Sequence, residues 1–140
     1  MRADVFIDTN ILLYAISKRP EEITKTHKAI QILRTTDFGL SAQVLQEFYV
    51  VSTGKMAQRI DTKMAVKFLN ILSKYPVVST DTDLVLAAIK LQKMYQISYW
   101  DAAILAAAEE LEARMVYSED LNHMQTYGTT QIINPFLGGS

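Results

Sequence analysis

The sequence predicts an α/β protein in which one parallel β-sheet is covered by helices on both faces. Short runs of β-branched and aromatic residues alternate with longer segments whose apolar residues recur at helical spacing. Strands separated by helices form parallel strand–helix–strand units, and the sheets of such units are buried on both sides. A length of 140 residues suits one domain. We expect residues 1–137 to form it and residues 138–140 to be a flexible tail.

Five strands and six helices are expected. Each predicted strand is a short apolar run such as Val5-Phe6-Ile7 or Met115-Val116-Tyr117. Each predicted helix is a longer segment that carries an apolar stripe. The predicted strands are residues 5–7, 38–40, 77–78, 115–117 and 131–133. The predicted helices are residues 9–17, 22–34, 42–53, 62–74, 84–96 and 99–113.

The composition excludes several classes of site. The chain has no cysteine, which excludes disulfides, thiolate zinc sites and a cysteine nucleophile. This absence also suits the cytoplasm, where we expect the protein to reside. The longest early apolar run, residues 11–16, is too short for a signal peptide or a membrane span.

Charge is unevenly distributed along the chain. The formal net charge is −1, but residues 1–75 hold 11 Lys/Arg and 7 Asp/Glu, whereas residues 76–140 hold 3 and 8. A basic stripe recurs at every fourth residue, which suits contacts to the phosphates of a nucleic acid. A solvated helix face explains the same pattern. The stripe consists of Lys55, Arg59, Lys63 and Lys67.

Two carboxylates follow predicted strands. Asp8 comes directly after the first strand, and Asp120 comes shortly after the fourth. Ligands of open α/β sheets bind outside the carboxyl ends of the strands, so both residues lie where a site is expected. Each also has a structural explanation, because Asp8 suits a helix N-cap and Asp120 suits a turn.

Two further carboxylates lie on apolar stripes of predicted helices. Glu47 is three residues after Val44 and four before Val51, so we expect it on the buried side of its helix. A buried ion pair is the structural alternative for Glu47. Asp101 heads a stripe that continues at Ile104, and its spacing from Ser98 is also that of a capping box.

A cluster of these four acids would need a cation. Carboxylates that converge on one cleft repel one another, and a hard divalent cation relieves the repulsion. Ligation by carboxylates alone is typical of Mg²⁺ or Mn²⁺ rather than zinc. Such a site can activate water and stabilise charge on a phosphate.

The four segments that contain these acids resemble the motifs of the PIN-domain family, and most of all its VapC-like ribonuclease toxins. They are Val5-Phe6-Ile7-Asp8-Thr9-Asn10, Gln46-Glu47-Phe48-Tyr49, Trp100-Asp101-Ala102-Ala103-Ile104 and Ser118-Glu119-Asp120-Leu121-Asn122. The similarity extends from Phe6 to about Phe136. It implies a three-layer α/β/α sandwich, Mg²⁺- or Mn²⁺-dependent RNA cleavage, a homodimer, and inhibition by a small antitoxin protein.

The resemblance also implies roles for individual residues. Asp8, Asp101 and Asp120 would hold the metal directly or through water, and Glu47 would position a water or a second ion. Thr9 and Ser118 match neighbours that order water or phosphate. Asn10 and Asn122 belong to the same two motifs, and the basic stripe is the candidate for holding the RNA backbone.

Two alternatives from other classes are open at this point. One is a receiver-like signalling domain, which also places acids at the carboxyl edge of a parallel sheet. Asp81 favours it, but Asp8 lacks an acidic neighbour and no Lys follows Met115. The other is a PIN fold that binds RNA or protein without catalysis, which an assay with and without Mg²⁺ distinguishes.

Overall fold

The structure, a computed structural model, describes residues 1–54 and 59–137. Within these residues the chain forms one six-stranded sheet. Its strands are β1 (Val5–Ile7), β2 (Phe38–Ser41), β3 (Val77–Val78), β4 (Met115–Tyr117), β5 (Thr126–Tyr127) and β6 (Thr130–Ile133). Their order across the sheet is β3-β2-β1-β4-β6-β5, and all neighbours are parallel except β5, which is antiparallel to β6.

Strands β4 and β6 are joined by a loop and β5, whereas the other successive parallel strands are connected by helices. The helices are α1 (Thr9–Ala15), α2 (Ile23–Thr35), α3 (Ala42–Thr53), α4 (Thr62–Leu72), α5 (Thr82–Tyr95) and α6 (Tyr99–Glu110), with a short 3₁₀ helix at Pro20–Glu22. Helix α6 packs against α5 and against four strands, and α1 packs against α2 and α3. The described part of the chain contains no helix with the length and apolarity that a membrane crossing requires.

The central strand β1 shows that both faces of the sheet are covered. Successive side chains of a strand point to opposite faces, yet Val5, Phe6 and Ile7 are all at most 3% exposed. The α/β sandwich expected from the sequence is therefore confirmed. Helix α6 contributes to this burial, because its residues from Ala102 to Ala108 are all buried and five of these seven are alanine.

The principal difference from the expected sheet is the additional strand β5. It is only two residues long, and the turn that joins it to β6 contains Gly128, whose φ is +61°. A two-residue strand has no detectable alternation, so the sequence did not indicate it. Helix α5 begins two residues earlier than expected because Asp81 caps it, its carboxylate accepting the Leu84 N–H at 2.9 Å.

A groove of about 430 Å³ opens between α1, α2 and α4. Its lining is almost wholly apolar, and two of the lining side chains, Ile71 and Met64, are 53% and 41% exposed. Exposed apolar side chains around a groove are typical of a protein-binding surface. Leu12, Ile30, Phe48, Phe68 and Tyr75 also line this groove.

Candidate active site

Asp8 and the residue Ser118 lie side by side at the carboxyl edge of the sheet. Strands β1 and β4 are parallel neighbours in which Ile7 pairs with Tyr117. The Asp8 N–H donates to the Tyr117 carbonyl at 3.0 Å. Strands β1 and β4 both end at this point. Ligands of this type of sheet bind outside the carboxyl ends of the strands.

The Asp8 carboxylate accepts two hydrogen bonds and forms no ion pair with the described residues. Its Oδ1 accepts the Thr9 N–H at 2.7 Å, which makes Asp8 the N-cap of α1. Its Oδ2 accepts the hydroxyl of Ser118 at 2.8 Å. The ion pairs among the described residues, Arg2–Glu112 and Lys25–Glu119, do not include Asp8. Capping is therefore confirmed, but it engages only one of the two oxygens.

The environment of Asp8 disfavours its charge. Burial raises the pKa of Asp8 to about 6, from an ordinary value of 3.8, and the nearby charges of Glu47 and Asp120 add to this. The hydrogen bonds from Ser118 and Thr9 oppose the shift. A carboxylate that is 8% exposed among like charges is a group that a bound cation stabilises.

Glu47 reaches this site from an exposed position, so its expected burial was wrong. The buried face of α3 is formed by Val44, Phe48 and Ser52, and Glu47 lies about 100° around the helix from Phe48. The last buried residue of this face is the polar Ser52, whereas the apolar stripe was expected to continue at Val51. Glu47 forms no ion pair within the described residues. Its Oε2 accepts the Thr9 hydroxyl at 3.1 Å.

The loop that carries Asp120 is tied to Asp8 through Ser118. The Ser118 hydroxyl accepts the N–H of Asp120 at 3.1 Å and that of Leu121 at 3.3 Å, while it donates to Asp8. This arrangement is a serine turn, so the turn interpretation of Asp120 is correct as well. Asp120 is exposed, and so is Asn122, whose amide donates to Gln125 at 3.5 Å.

Asp101 is the one acid that the structure does not join to the others. It is half-buried in the first turn of α6, where its N–H donates to the Ser98 hydroxyl at 3.1 Å. Burial raises the pKa of Tyr127 and the charge of Asp101 adds to this rise, whereas Asp101 is not among the causes of the raised pKa of Asp8. Among the described residues, the reciprocal side-chain bond of a capping box is also absent.

The acids are not drawn together tightly enough to form a preorganised metal cluster. Across residues 1–54 and 59–137, no group of three or more acidic or histidine side chains is arranged to hold an ion. The site is a buried Asp8 with Glu47 and Asp120 at its rim.

Asn10 adds a polar group beside this site. Its Oδ1 accepts the N–H of Glu119 at 3.4 Å. Its Nδ2 is buried and has no hydrogen-bond partner among the described residues. A buried donor without a partner is rare in proteins and suits a site that receives an acceptor from a ligand.

Two residues that the sequence did not indicate, Tyr14 and Lys25, contact the loop after β4 that carries Ser118, Glu119 and Asp120, which we call the active-site loop. Both bond the side chain of Glu119, and Lys25 pairs with it at 2.5 Å. No local pattern marks either residue, because the contacts span 94 and 105 positions along the chain.

The basic stripe is only partly described. Lys63 and Lys67 are exposed on α4, as both the nucleic-acid and the solvation interpretations require. Arg59 is half-buried, and its Nε and Nη1 have no acceptor among the described residues. Lys55 lies outside the described residues, and so does the predicted tail at residues 138–140.

Several solved structures share this fold. A toxin–antitoxin complex from Klebsiella pneumoniae aligns with a TM-score of 0.69 and 19% identity, covering 94% of this chain and 98% of that one. A sarcin–ricin loop cleaving VapC toxin from Mycobacterium tuberculosis aligns at 0.64 and 17%, covering 83% and 89%. A DNA-bound VapBC from Salmonella typhimurium aligns at 0.63 and 17%, covering 94% and 97%. No curated protein matches the chain by sequence.

The family follows from the sequence itself. Residues 5–128 match the model of the PIN domain family, a span that includes all four acids. The receiver-like alternative is thereby excluded, and Asp81, which favoured it, is a helix cap. The chain belongs to the PIN-domain family.

Proposed function

We propose that this chain is a metal-dependent endoribonuclease and the toxin of a toxin–antitoxin pair. The observation that carries the proposal is Asp8, a buried carboxylate whose pKa is raised to about 6 beside Glu47 and Asp120. Membership of the PIN-domain family supports nuclease chemistry at this position. The similar Mycobacterium tuberculosis toxin, which cleaves the sarcin–ricin loop, supports RNA as the substrate.

The donor atoms suit a divalent metal ion. All candidate ligands are carboxylate oxygens, which favour Mg²⁺ or Mn²⁺, and Asp8 has no protein cation within the described residues. We assign Asp8, Asp120 and Asp101 as the residues that would hold the ion directly or through water. When bound, the ion would act as a Lewis acid and lower the pKa of a coordinated water.

The residues of the chain would divide the remaining work. Glu47, held by the Thr9 hydroxyl at 3.1 Å, would orient the attacking water. Ser118 would hold Asp8 ionised and in place, because a hydrogen bond to a carboxylate favours its charged form. The buried Nδ2 of Asn10, which has no hydrogen-bond partner among the described residues, would donate to an ordered water, a contact that helps to position RNA for in-line attack.

We assign the antitoxin to the apolar groove between α1, α2 and α4. The Klebsiella pneumoniae structure is a toxin–antitoxin complex, which supports a protein partner for this chain. An amphipathic segment of the antitoxin would bury Ile71 and Met64, the exposed side chains of the groove.

We also propose a homodimer in the cytoplasm. Met94 and Trp100 are 59% and 67% exposed, as is the nearby Leu86 at 60%, and Met and Trp are among the residue types that are enriched in protein interfaces.

Removal of the metal tests the catalytic proposal. Purified protein incubated with ribosomal RNA should cleave it in Mg²⁺ or Mn²⁺ and should be inactive in excess EDTA. Full cleavage in EDTA would overturn the metal mechanism. RNA binding without cleavage in any divalent cation would instead favour the catalytically silent alternative.

The basic stripe gives a prediction about RNA binding. The double variant Lys63→Ala/Lys67→Ala should bind RNA more weakly and with a flatter salt dependence, because fewer counterions are released. For single-stranded RNA the slope of log K against log salt should fall by about 1.4. Binding is measured in EDTA, where the RNA stays intact.

A matched control removes the same charge elsewhere. Lys90 and Lys93 are exposed on α5, and Lys90→Ala/Lys93→Ala should leave the slope unchanged. Equal slopes in both double variants would assign Lys63 and Lys67 to solvation of the helix surface.

A further inference from the structure

Glu119 lies between two residues of the active site, but its side chain is directed elsewhere. Its Oε1 accepts the Tyr14 hydroxyl at 2.5 Å, and its Oε2 pairs with Lys25 Nζ at 2.5 Å. Lys25 Nζ also donates to the Tyr14 hydroxyl at 3.2 Å. The three side chains form a closed triangle that joins α1 and α2 to the active-site loop.

Two aromatic rings lie beside the cation of this triangle. Lys25 Nζ lies 4.9 Å from the ring centre of Tyr14 and 5.6 Å from that of Phe136. The two rings meet edge to face, with their centres 4.9 Å apart. Cation–π contacts at these distances are favourable. The Glu119 and Lys25 side chains are 25% and 41% exposed, so their pairing is less screened than that of a surface ion pair.

The loop is therefore held at two consecutive residues, Ser118 and Glu119. Ser118 binds Asp8 and accepts the N–H of Asp120. One residue later, the Glu119 N–H donates to Asn10 Oδ1 at 3.4 Å while its side chain joins the triangle. The Glu119 charge is not among those that raise the pKa of Asp8, although the charge of Asp120 is. The two neighbouring carboxylates are thus directed to different surroundings.

We infer that Glu119 is a positioning residue. Lys25 and Tyr14 hold its carboxylate away from the acidic site, so that of the two neighbouring acids, Glu119 and Asp120, only Asp120 faces Asp8. Without Lys25, the Glu119 carboxylate would keep only the hydrogen bond from Tyr14 and would lose the cation that neutralises its charge next to Asp120. The hold on the loop would therefore weaken. The inference rests on the proposed function. Its effect is exerted through the orientation of Asp120, so we expect a change in kcat and in metal affinity rather than in the binding of RNA.

The test uses variants of the whole chain. Lys25→Met should lower kcat by about 10–100-fold, the usual effect of losing a partner that orients a metal ligand, with KM for RNA unchanged. Glu119→Gln should act in the same direction, and Lys25→Arg should restore most of the activity. The double variant Lys25→Met/Glu119→Gln should be no worse than the poorer single variant, since both remove the same interaction.

A second ion pair provides the control. Arg2–Glu112, at 3.6 Å, precedes strands β1 and β4 and so lies at the opposite edge of the sheet. Glu112→Gln should leave kcat and metal affinity unchanged. Thermal unfolding of every variant sets an assay temperature at which all are folded, so that a loss of stability is not mistaken for a loss of positioning.

Mn²⁺ binding, followed by the EPR signal of the free ion, separates the inference from the proposed function. Weaker Mn²⁺ binding by Lys25→Met than by Glu112→Gln supports the inference, even if the wild type cleaves no RNA and the proposed function fails. Wild-type values of kcat and Mn²⁺ affinity in Lys25→Met would overturn the inference while the proposed function stands. A raised KM with unchanged kcat would also overturn it, because Lys25 would then contact RNA directly. A wild type that binds no Mn²⁺ would refute both.

Discussion

Asp8→Asn is expected to abolish RNA cleavage while it stabilises the metal-free protein. The substitution keeps the shape of the side chain and its bond to the Thr9 N–H but removes the buried charge. Cleavage should fall by more than about 100-fold, since even outer partners of metal ligands contribute about 10–100-fold. A variant that is inactive yet more stable is the signature of a carboxylate retained for function rather than for the fold.

The stability gain should depend on pH in a defined direction. The folded-state pKa of Asp8, about 6, is above its ordinary value of 3.8. Between these values the folded state holds a proton that the unfolded state has lost, so rising pH destabilises the wild type through this window. The cost is absent below pH 3.8 and complete above pH 6, where it amounts to about 3 kcal/mol.

Urea unfolding in EDTA at pH 4 and pH 8 measures this difference. Asp8→Asn should exceed the wild type at pH 8 and approach it at pH 4. Asp83, an exposed carboxylate in the first turn of α5, supplies the control variant Asp83→Asn. If Asp8→Asn and wild type differ in stability by the same amount at both pH values, burial of the Asp8 charge does not cost the stability that we assign to it.

Ser118→Ala should destabilise the protein and impair cleavage together. The fully buried Ser118 hydroxyl donates to Asp8 and accepts two N–H groups of the loop. Its removal leaves Asp8 Oδ2 without a donor, which costs about 1–3 kcal/mol for a buried polar group. The loss should be greater at pH 8 than at pH 4, because the hydrogen bond favours the charged form of Asp8.

An exposed serine gives the matched comparison for Ser118→Ala. Ser73 is exposed, and its hydroxyl donates to the Asn70 carbonyl at 2.7 Å. Ser73→Ala should change the free energy of unfolding by less than about 0.5 kcal/mol. Equal effects of the two substitutions would show that Ser118 does not support the charge of Asp8.

The sequence predicted the fold well where its signals are local. The runs Val5–Ile7 and Met115–Tyr117 are central strands because β-branched and aromatic side chains suit a sheet buried on both faces. Strand β5 escaped detection because two residues carry no periodicity. The edges of α5 shifted because the cap at Asp81 determines its start more strongly than its apolar stripe does.

The site was predictable in position but not in its internal geometry. Asp8 and Asp120 follow strands, and strand ends in a parallel sheet share one edge. Whether Glu47 is buried depends on which face of α3 meets the core, and the buried Ser52 gives no hydrophobic signal. Contacts such as Lys25–Glu119 arise from tertiary packing between distant segments, so no local pattern reveals them.

Glu47 provides the most direct test of the central claim that these acids form a metal-dependent active site. Thermal melts of wild type and Glu47→Gln, in EDTA and in Mn²⁺, are to be compared with their RNA cleavage. Glu47 is exposed and has no ion pair within the described residues, so in EDTA the variant should melt no lower than wild type. It should lose cleavage and much of the stabilisation that Mn²⁺ gives the native state. A Glu47→Gln protein that melts well below wild type in EDTA, and keeps its full response to Mn²⁺, would contradict the claim.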